Sequence, residues 1–326
     1  MLGRQTEQST MNQTVVQLLD FHPRSRRTME VFLVELARPL GEKGWRTIYV
    51  MAGELGDFFC RELDRMGSPY VVARFPLSLA DLWSLCVDLE KYYPDVIHTT
   101  FVSSFDPMVW LLKLMTGARY LLVSDQSSGA AKSKRGPKRL MAQLRGVVAG
   151  LFIDRIVAVS NFVKKRDIEA IFLSRPQITT IYNGVELEER DTVLKAPNEI
   201  VTIAYAGQLI VEKGVDIFLR AIKELRADCQ TAFKVLIAGE GRQAEELQIY
   251  CEVNELDQVE FLGQIDWVGR LYKCADIVVV PSQWEEACAF SLIEAMGCGA
   301  CVVASDAGGN PELIGTDEKA VYCSRD

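Results

Sequence analysis

The chain has 326 residues, 49% of them hydrophobic and 25% charged, with 36 Lys and Arg against 44 Asp and Glu for a net charge of −8. That length exceeds one compact core and suits two α/β domains of ordinary globular composition. The charge is uneven: residues 1–190 carry 25 basic and 21 acidic residues and residues 191–326 carry 11 and 23, so the acidic second half argues against nucleic acid as a partner.

Nine cysteines, scattered through apolar segments, suit a reducing cytoplasm and behave as small hydrophobes. Cys298 and Cys301 form a lone C-x-x-C with no second pair, so no metal site is expected. The first twelve residues are polar and predict no secretory signal. No uncharged apolar run reaches the roughly 18 residues that span a bilayer. The longest, GVVAGLFIDRIVAV, is broken by Asp154 and Arg155, so any membrane contact is expected to be peripheral.

In chain order, VVQLLDF reads as a first buried strand, HPRSRR as a loop, TMEVFLVELARPLGEKG as an amphipathic helix and WRTIYVMAG as a second strand. Arg24, Arg26 and Arg27 in that loop can grip an anionic group, since guanidinium matches phosphate and carboxylate, or can be a solvated charge run. VVARFPL, DVIHTTF and ARYLLVSD predict further strands with helices between them. His22 and His98 are the two histidines, and His98 is placed at a strand end as a structural residue rather than a base; Asp125 closes the next strand. SSGAAKSKRGPKR (127–139) is a basic loop suited to anionic lipid, a polyanionic acceptor or plain solvent. RIVAVSNFVKKR gives a strand, a Ser160-Asn161 cap and a helix start, and ITTIYNGV a last strand and turn. These elements form a first domain, 1–187, and the polar stretch 188–199 reads as a linker.

Residues 200–326 open a second domain with a strand, a turn at Gly207 and Gln208, and Glu212-Lys213-Gly214 ahead of a helix. FKVLIAGEGRQAEEL places Gly239, Glu240, Gly241 and Ala244 after a strand. Alone, this G-x-G-x-x-A resembles a dinucleotide fingerprint, with Glu260 near the expected acidic position. The densest pattern is PSQWEEACAFSLIEAMGCGACVVASDAGGNPELI, 281–314. The strand DIVVVP ends there in a loop holding Glu286, and a helix follows Ala289 that contains Phe290, Ser291 and Glu294. A strand that ends in a loop and opens a helix leaves backbone N–H groups and a positive dipole end at one spot, which binds anions. Two acids flanking such a helix start can hold hydroxyls at two ends of one ligand while the helix takes its phosphates. A nucleotide sugar has that shape.

With Pro281-Ser282, Glu286, Glu294-Ala295-Met296, Cys298-Gly299, Gly308-Gly309 and Pro311-Glu312 all in register, the stretch resembles the retaining glycosyltransferases of family 4. The resemblance implies a GT-B fold: two Rossmann-like doubly wound α/β domains facing a central cleft, acceptor-side in 1–187 and nucleotide-sugar-binding in 200–326. It implies a hexosyltransferase-type reaction that moves a sugar, with retention, from a UDP-, GDP- or ADP-linked donor to a glycan, lipid-linked or small-molecule acceptor. No metal and no cofactor are implied, the nucleotide sugar being the substrate. Lys213 neutralises the leaving diphosphate, Glu286 holds the donor sugar and Glu294 the ribose; Gly207, Gln208, Gly239, Glu240, Ala289, Phe290 and Ser291 complete the donor side. Arg24, Arg26, Arg27, His98 and Asp125 fall on the acceptor side. The family carries an arginine where this chain has Gln208 and a glycine-rich loop where it has Arg24–Arg27. Family members continue for several helices beyond AVYCSRD, so the second domain is expected to be truncated. A cytoplasmic protein, peripheral to the inner face of the membrane, follows. The rival readings are a catalytically weak partner subunit that binds nucleotide sugar, a nucleotide-sugar epimerase and an NAD-binding oxidoreductase.

Overall fold

The structure, a computed structural model, describes residues 13–23, 28–103, 105–129, 136–171, 177–186, 200–228, 231–265, 267–315 and 321–322. Arg24, Arg26 and Arg27, the centre of the 127–139 loop and the stretch 188–199 lie outside them. By contact the chain falls into two compact units. One draws on Met1–Asp125, Lys134–Val157 and Ala170–Thr179; the other takes Gln126–Ser133, Ala158–Glu169 and Thr180–Asp326.

The first unit is built on β1 (Thr14–Leu19), α1 (Thr28–Glu42), β2 (Arg46–Met51), α2 (Asp57–Met66), β3 (Tyr70–Val72), α3 (Leu79–Glu90), β4 (Val96–Thr100), α4 (Pro107–Thr116), β5 (Tyr120–Asp125) and α5 (Pro137–Phe152). β6 (Arg155–Ala158) and β7 (Ile178–Thr180) complete its sheet, while most of α6 (Asn161–Ile171), which lies between them in the chain, falls to the second unit. The sheet order is β3-β2-β1-β4-β5-β6-β7, and β1 pairs in parallel with both β2 and β4. All six residues of β1 are buried, as expected of a central parallel strand covered by helices on both faces. Helix ends are set locally. Asp106 caps α4 by accepting from the Met108 N–H at 2.9 Å, with Pro107 next, and Gly117 ends it in the left-handed region at φ 70°. Ser78 and Asp81 make a reciprocal capping box on α3.

The second unit carries β8 (Val201–Ala206), a 3-10 turn (Val211–Lys213), α7 (Val215–Asp228), β9 (Phe233–Ala238), α8 (Ala244–Val253), β10 (Val259–Gly263), α9 (Val268–Cys274) and β11 (Ile277–Val280). α10 (Phe290–Gly297), β12 (Cys301–Ser305), α11 (Asn310–Ile314) and β13 (Val321–Tyr322) complete it. Its sheet runs β10-β9-β8-β11-β12-β13, with parallel pairing throughout. In both sheets the strand order reverses beside the first strand, at β1/β4 and at β8/β11. Ligands of doubly wound sheets bind at such switch points, outside the carboxyl ends of the strands.

One device appears in both units. The Thr14 N–H donates to an Asp95 carboxylate oxygen at 2.8 Å, and the Asp95 N–H returns a bond to the Thr14 carbonyl at 2.9 Å. The Thr202 N–H donates to the Asp276 carboxylate at 2.7 Å, and the Asp276 N–H to the Thr202 carbonyl at 2.7 Å. Each aspartate stands just before the strand on the far side of the switch point and ties it to the first strand. Asp276→Ala is expected to cost about 1–3 kcal/mol by leaving a strand N–H unpaired, read as a lowered denaturation midpoint. Asp276→Asn, which keeps an acceptor, should lose less. Equal losses would show that the carboxylate bond is not what matters.

Candidate functional site

In the second unit three loops leave the carboxyl ends of β8, β11 and β12 and interlock through backbone contacts that leave no room for side chains. Gly214 sits at φ 67°, where a Cβ would lie 2.0 Å from the Pro281 carbonyl oxygen. The N–H groups of Gln283 and Trp284 both donate to the Glu212 carbonyl, at 3.0 and 3.1 Å. Gly308, at φ 67°, forms an isolated parallel bridge with Glu286, and the Gly309 N–H donates to the Glu286 carbonyl at 2.8 Å. The loops after β8 and β9 lock in the same way: Gly207 donates to the Ala238 carbonyl and Leu209 to that of Glu240. A Cβ on Gly239 would fall 1.8 Å from the Gly207 oxygen and one on Gly241 2.2 Å from that of Leu209. Close backbone packing therefore accounts for the G-x-G spacing without a dinucleotide.

This interlock delivers Lys213 from one side of the switch point and Glu286 from the other. The Lys213 ammonium donates to Glu286 Oε1 at 2.5 Å, and the Ser282 hydroxyl donates to the same oxygen at 2.6 Å. Glu286 is 6% exposed, while the Lys213 side chain is about a third exposed, 31%. Behind them Ser282 is buried, its carbonyl accepting from Ser305 Oγ at 2.6 Å. Asn310, fully buried, reaches that same hydroxyl from α11. Burial, and then the Glu286 charge, hold the Tyr205 phenol far above its usual range, so it stays a neutral donor, here to the Gln208 carbonyl at 2.8 Å.

α10 opens at Ala289 with no side-chain cap, so the positive end of its dipole and its first turn, Phe290 and Ser291, stand where the β11 loop ends. Glu294 is the fifth residue of this helix. Its charge, after burial, helps keep the Tyr272 phenol protonated, which puts the two side chains in one electrostatic neighbourhood. Gly207, Gln208 and Glu240 are exposed at the loop tips, and Gly239 is half-buried. Gln208 provides an amide but no charge, so Lys213 is the cation that the β8 loop brings to this spot.

In the first unit His98 is the third residue of β4 rather than its end, in register with Gln17 and Leu122. Its Nε2 lies 2.7 Å from Ser124 Oγ, and burial pushes its pKa down to about 4. It is a neutral, half-buried strut that ties β4 to Ser124 on β5. Since the folded pKa lies below the usual 6.5, the unfolded chain binds the extra proton first. Stability from this group is full above about pH 6.5 and is lost as pH falls toward 4, at roughly 1.4 kcal/mol per unit. Melting curves between pH 7 and 5 should fall less for His98→Gln than for the wild type; parallel curves would refute the assignment. Asp125 ends β5 and is half-buried at the sheet's carboxyl edge. At the same edge the sequence reading missed Phe21 and Phe101, whose rings stack at 5.7 Å beyond β1 and β4. Phe101 takes φ 63°, a strained value for an aromatic residue, which no sequence signal discloses.

Glu312 closes the G-G-x-P-E turn at the start of α11. Its carboxylate accepts from the Asn161 and Phe162 N–H groups at 2.8 and 2.5 Å and from the Tyr182 hydroxyl at 2.9 Å. It thus caps α6 across 150 residues of chain, beside the Ser160 hydroxyl that accepts from the Val163 N–H.

Two doubly wound parallel sheets, the second bearing an anion-attracting helix start and a Lys–Glu pair at its switch point, define the GT-B class. A family model described as Glycosyltransferase Family 4 matches residues 29–189, and one described as Glycosyl transferases group 1 matches residues 200–326. Between them the matches take in most of the chain, which belongs to the GT-B glycosyltransferases. A crystal structure of Anabaena HepE with UDP superposes with a TM-score of 0.74 at 17% identity, over 96% of this chain and 86% of that one. An uncharacterised 42.6 kDa protein of the Klebsiella pneumoniae cps region is 27% identical over 233 residues, 68% of this chain and 59% of that protein. The lipopolysaccharide 1,2-N-acetylglucosaminetransferase of Salmonella typhimurium is 31% identical over 133 residues, 37% of this chain and 34% of its own length. The chain spans about half the length of the curated relatives it matches.

Proposed function

We propose that this chain transfers a hexosyl group, with retention, from a nucleoside-diphosphate sugar to a glycan or lipid-linked acceptor in polysaccharide assembly. The observation that carries the reading is the Lys213–Glu286 pair beside the uncapped start of α10, at the switch point of the second sheet. As the bond between sugar and diphosphate breaks, charge builds on the phosphate oxygens. Lys213 and the Phe290 and Ser291 N–H groups stabilise it, supplying the electrostatic help that a metal would otherwise give. Glu286, released from Lys213 by the incoming diphosphate, accepts from hydroxyls of the donor sugar, and Glu294 accepts from the ribose. HepE was solved with UDP and with UDP-glucose, which favours a uridine donor here. No cofactor enters this reading. A lipid-linked acceptor would bring the protein to a membrane surface, and among the described residues no helix is long and apolar enough to cross one.

Gln208 favours a second reading, a weakly active subunit that binds nucleotide sugar, because an amide neutralises no phosphate charge. Nucleoside diphosphate release from UDP-, GDP- and ADP-sugars, measured with and without EDTA, separates the two. Release with one donor that survives EDTA supports transfer; a thermal shift with that donor but no release supports the binding subunit. A shift with NAD alone would overturn both.

A further inference from the structure

We infer that Arg166 is a positioning residue for Glu286 and acts through residues 127–129, a role that rests on the proposed meeting of Glu286 with the donor sugar. All of these residues belong to the second unit. The loop that carries Glu286 is held from two sides. On one side Gly308 bridges Glu286, and the Gly309 N–H donates to its carbonyl. On the other, the Gly129 N–H donates to the Glu285 carbonyl at 2.7 Å, and the Ala287 N–H donates to the Ser128 hydroxyl at 3.2 Å. The peptide groups before and after Glu286 are thus both engaged by 128–129. Gly129 takes φ 107°, and a Cβ there would lie 2.8 Å from the Trp284 ring, so the segment can come this close to the loop only without a side chain.

Residues 127–129 follow β5 with no regular structure of their own, and Ser127 and Ser128 are exposed. Such a segment fixes a neighbour only if it is fixed itself. Arg166, on α6, supplies that hold. Its Nη1 donates to the Ser127 carbonyl at 2.6 Å and to the Gly129 carbonyl at 3.3 Å, and its Nη2 to the Ser127 hydroxyl at 3.2 Å. Nε and Nη2 also donate to Asp167 Oδ1, at 3.3 and 3.2 Å. A planar guanidinium can span two carbonyls and a carboxylate at once, which a lysine ammonium on its flexible stem cannot. α6 is capped in turn by Glu312, from the turn that holds Gly308 and Gly309. The contacts close a ring. Glu286 meets Gly308 and Gly309, Glu312 meets the start of α6, Arg166 meets 127–129, and these return to Glu285 and Ala287. A closed ring restricts the carboxylate more than either side alone, and a misplacement of about 1 Å at a reacting centre can cost roughly 10²-fold in rate.

The test compares the wild type with Arg166→Lys, which keeps a charge beside Asp167 but loses the fork, and with Ser128→Ala and Ser128→Thr at an exposed position. Amide hydrogen exchange is read first, without donor. Release of nucleoside diphosphate from UDP-, GDP- and ADP-glucose is read second. A wild type that cleaves none of these donors would sink the transfer reading, while exchange still decides whether Arg166 holds the loop. Arg166→Lys and Ser128→Ala should speed exchange across 284–288 about tenfold or more and leave β8 unchanged, and Ser128→Thr should match the wild type. With a donor that is cleaved, kcat of the first two variants should fall roughly 10–10²-fold. Kd for the nucleoside diphosphate should stay within about twofold, because Glu286 meets the sugar and not the phosphates. If Arg166→Lys does not fold, Ser128→Ala is read in its place. Unchanged exchange across 284–288 would overturn the inference, since Arg166 would then serve only to neutralise Asp167. Faster exchange in β8 as well would overturn it too, as would a kcat that holds or a Kd that worsens as much as kcat falls.

Discussion

Lys213→Ala is expected to slow sugar transfer by about 10²–10³-fold, the usual loss when one preorganised charge aimed at a leaving group is removed. The loss should fall on kcat more than on donor KM, because the phosphate charge that Lys213 meets grows as the glycosidic bond breaks. The change also strands Glu286, whose Oε1 would keep only the Ser282 hydroxyl. A further destabilisation of about 1–3 kcal/mol follows, read from denaturation. Adding Glu286→Gln should restore that stability without restoring turnover, since the two residues share one interaction and their effects are not additive. Turnover of Lys213→Ala within twofold of wild type would sink the assignment.

Gly308→Ala should be a strongly damaging single methyl in the second unit. The new Cβ would lie 2.2 Å from the Glu286 carbonyl oxygen and 2.5 Å from its nitrogen, on a backbone at φ 67°. Backbone cannot rotate away as a flexible side chain can, so about 3 kcal/mol or more of stability should be lost. Glu286 must shift as well, and transfer should fall further than the unfolded fraction explains. Gly299→Ala is the control: φ is 79°, yet nothing lies within 4 Å, so only the left-handed penalty of about 1 kcal/mol applies. Similar losses in the two variants would show that backbone conformation, and not the contact with Glu286, makes Gly308 necessary.

Much of this molecule was legible from local pattern. Buried parallel strands read as unbroken apolar runs, which is why VVQLLDF and DIVVVP were found. The 281–314 stretch was legible for a different reason: it packs strand, loop, helix and strand into consecutive residues, so its geometry is nearly one-dimensional. His98 was misplaced because strand ends depend on how far the neighbouring strands pair, which the residues of one strand do not encode. The buried small and exposed large residues of α5 were present in the sequence, but periodicity alone does not say which stripe is buried.

By itself the sequence determined the class: two βα-alternating halves, the second holding a strand–loop–helix stretch with a lysine and two acids nearby. Only the tertiary structure decided that Lys213 and Glu286 meet, that Gly214, Gly239, Gly241 and Gly308 are required by facing carbonyls, that Asp95 and Asp276 perform one task in two sheets, and that Glu312 caps a helix 150 residues away. The reason is physical. Propensity and periodicity act over a few residues, whereas these contacts arise where a parallel sheet brings the ends of distant strands together at one edge.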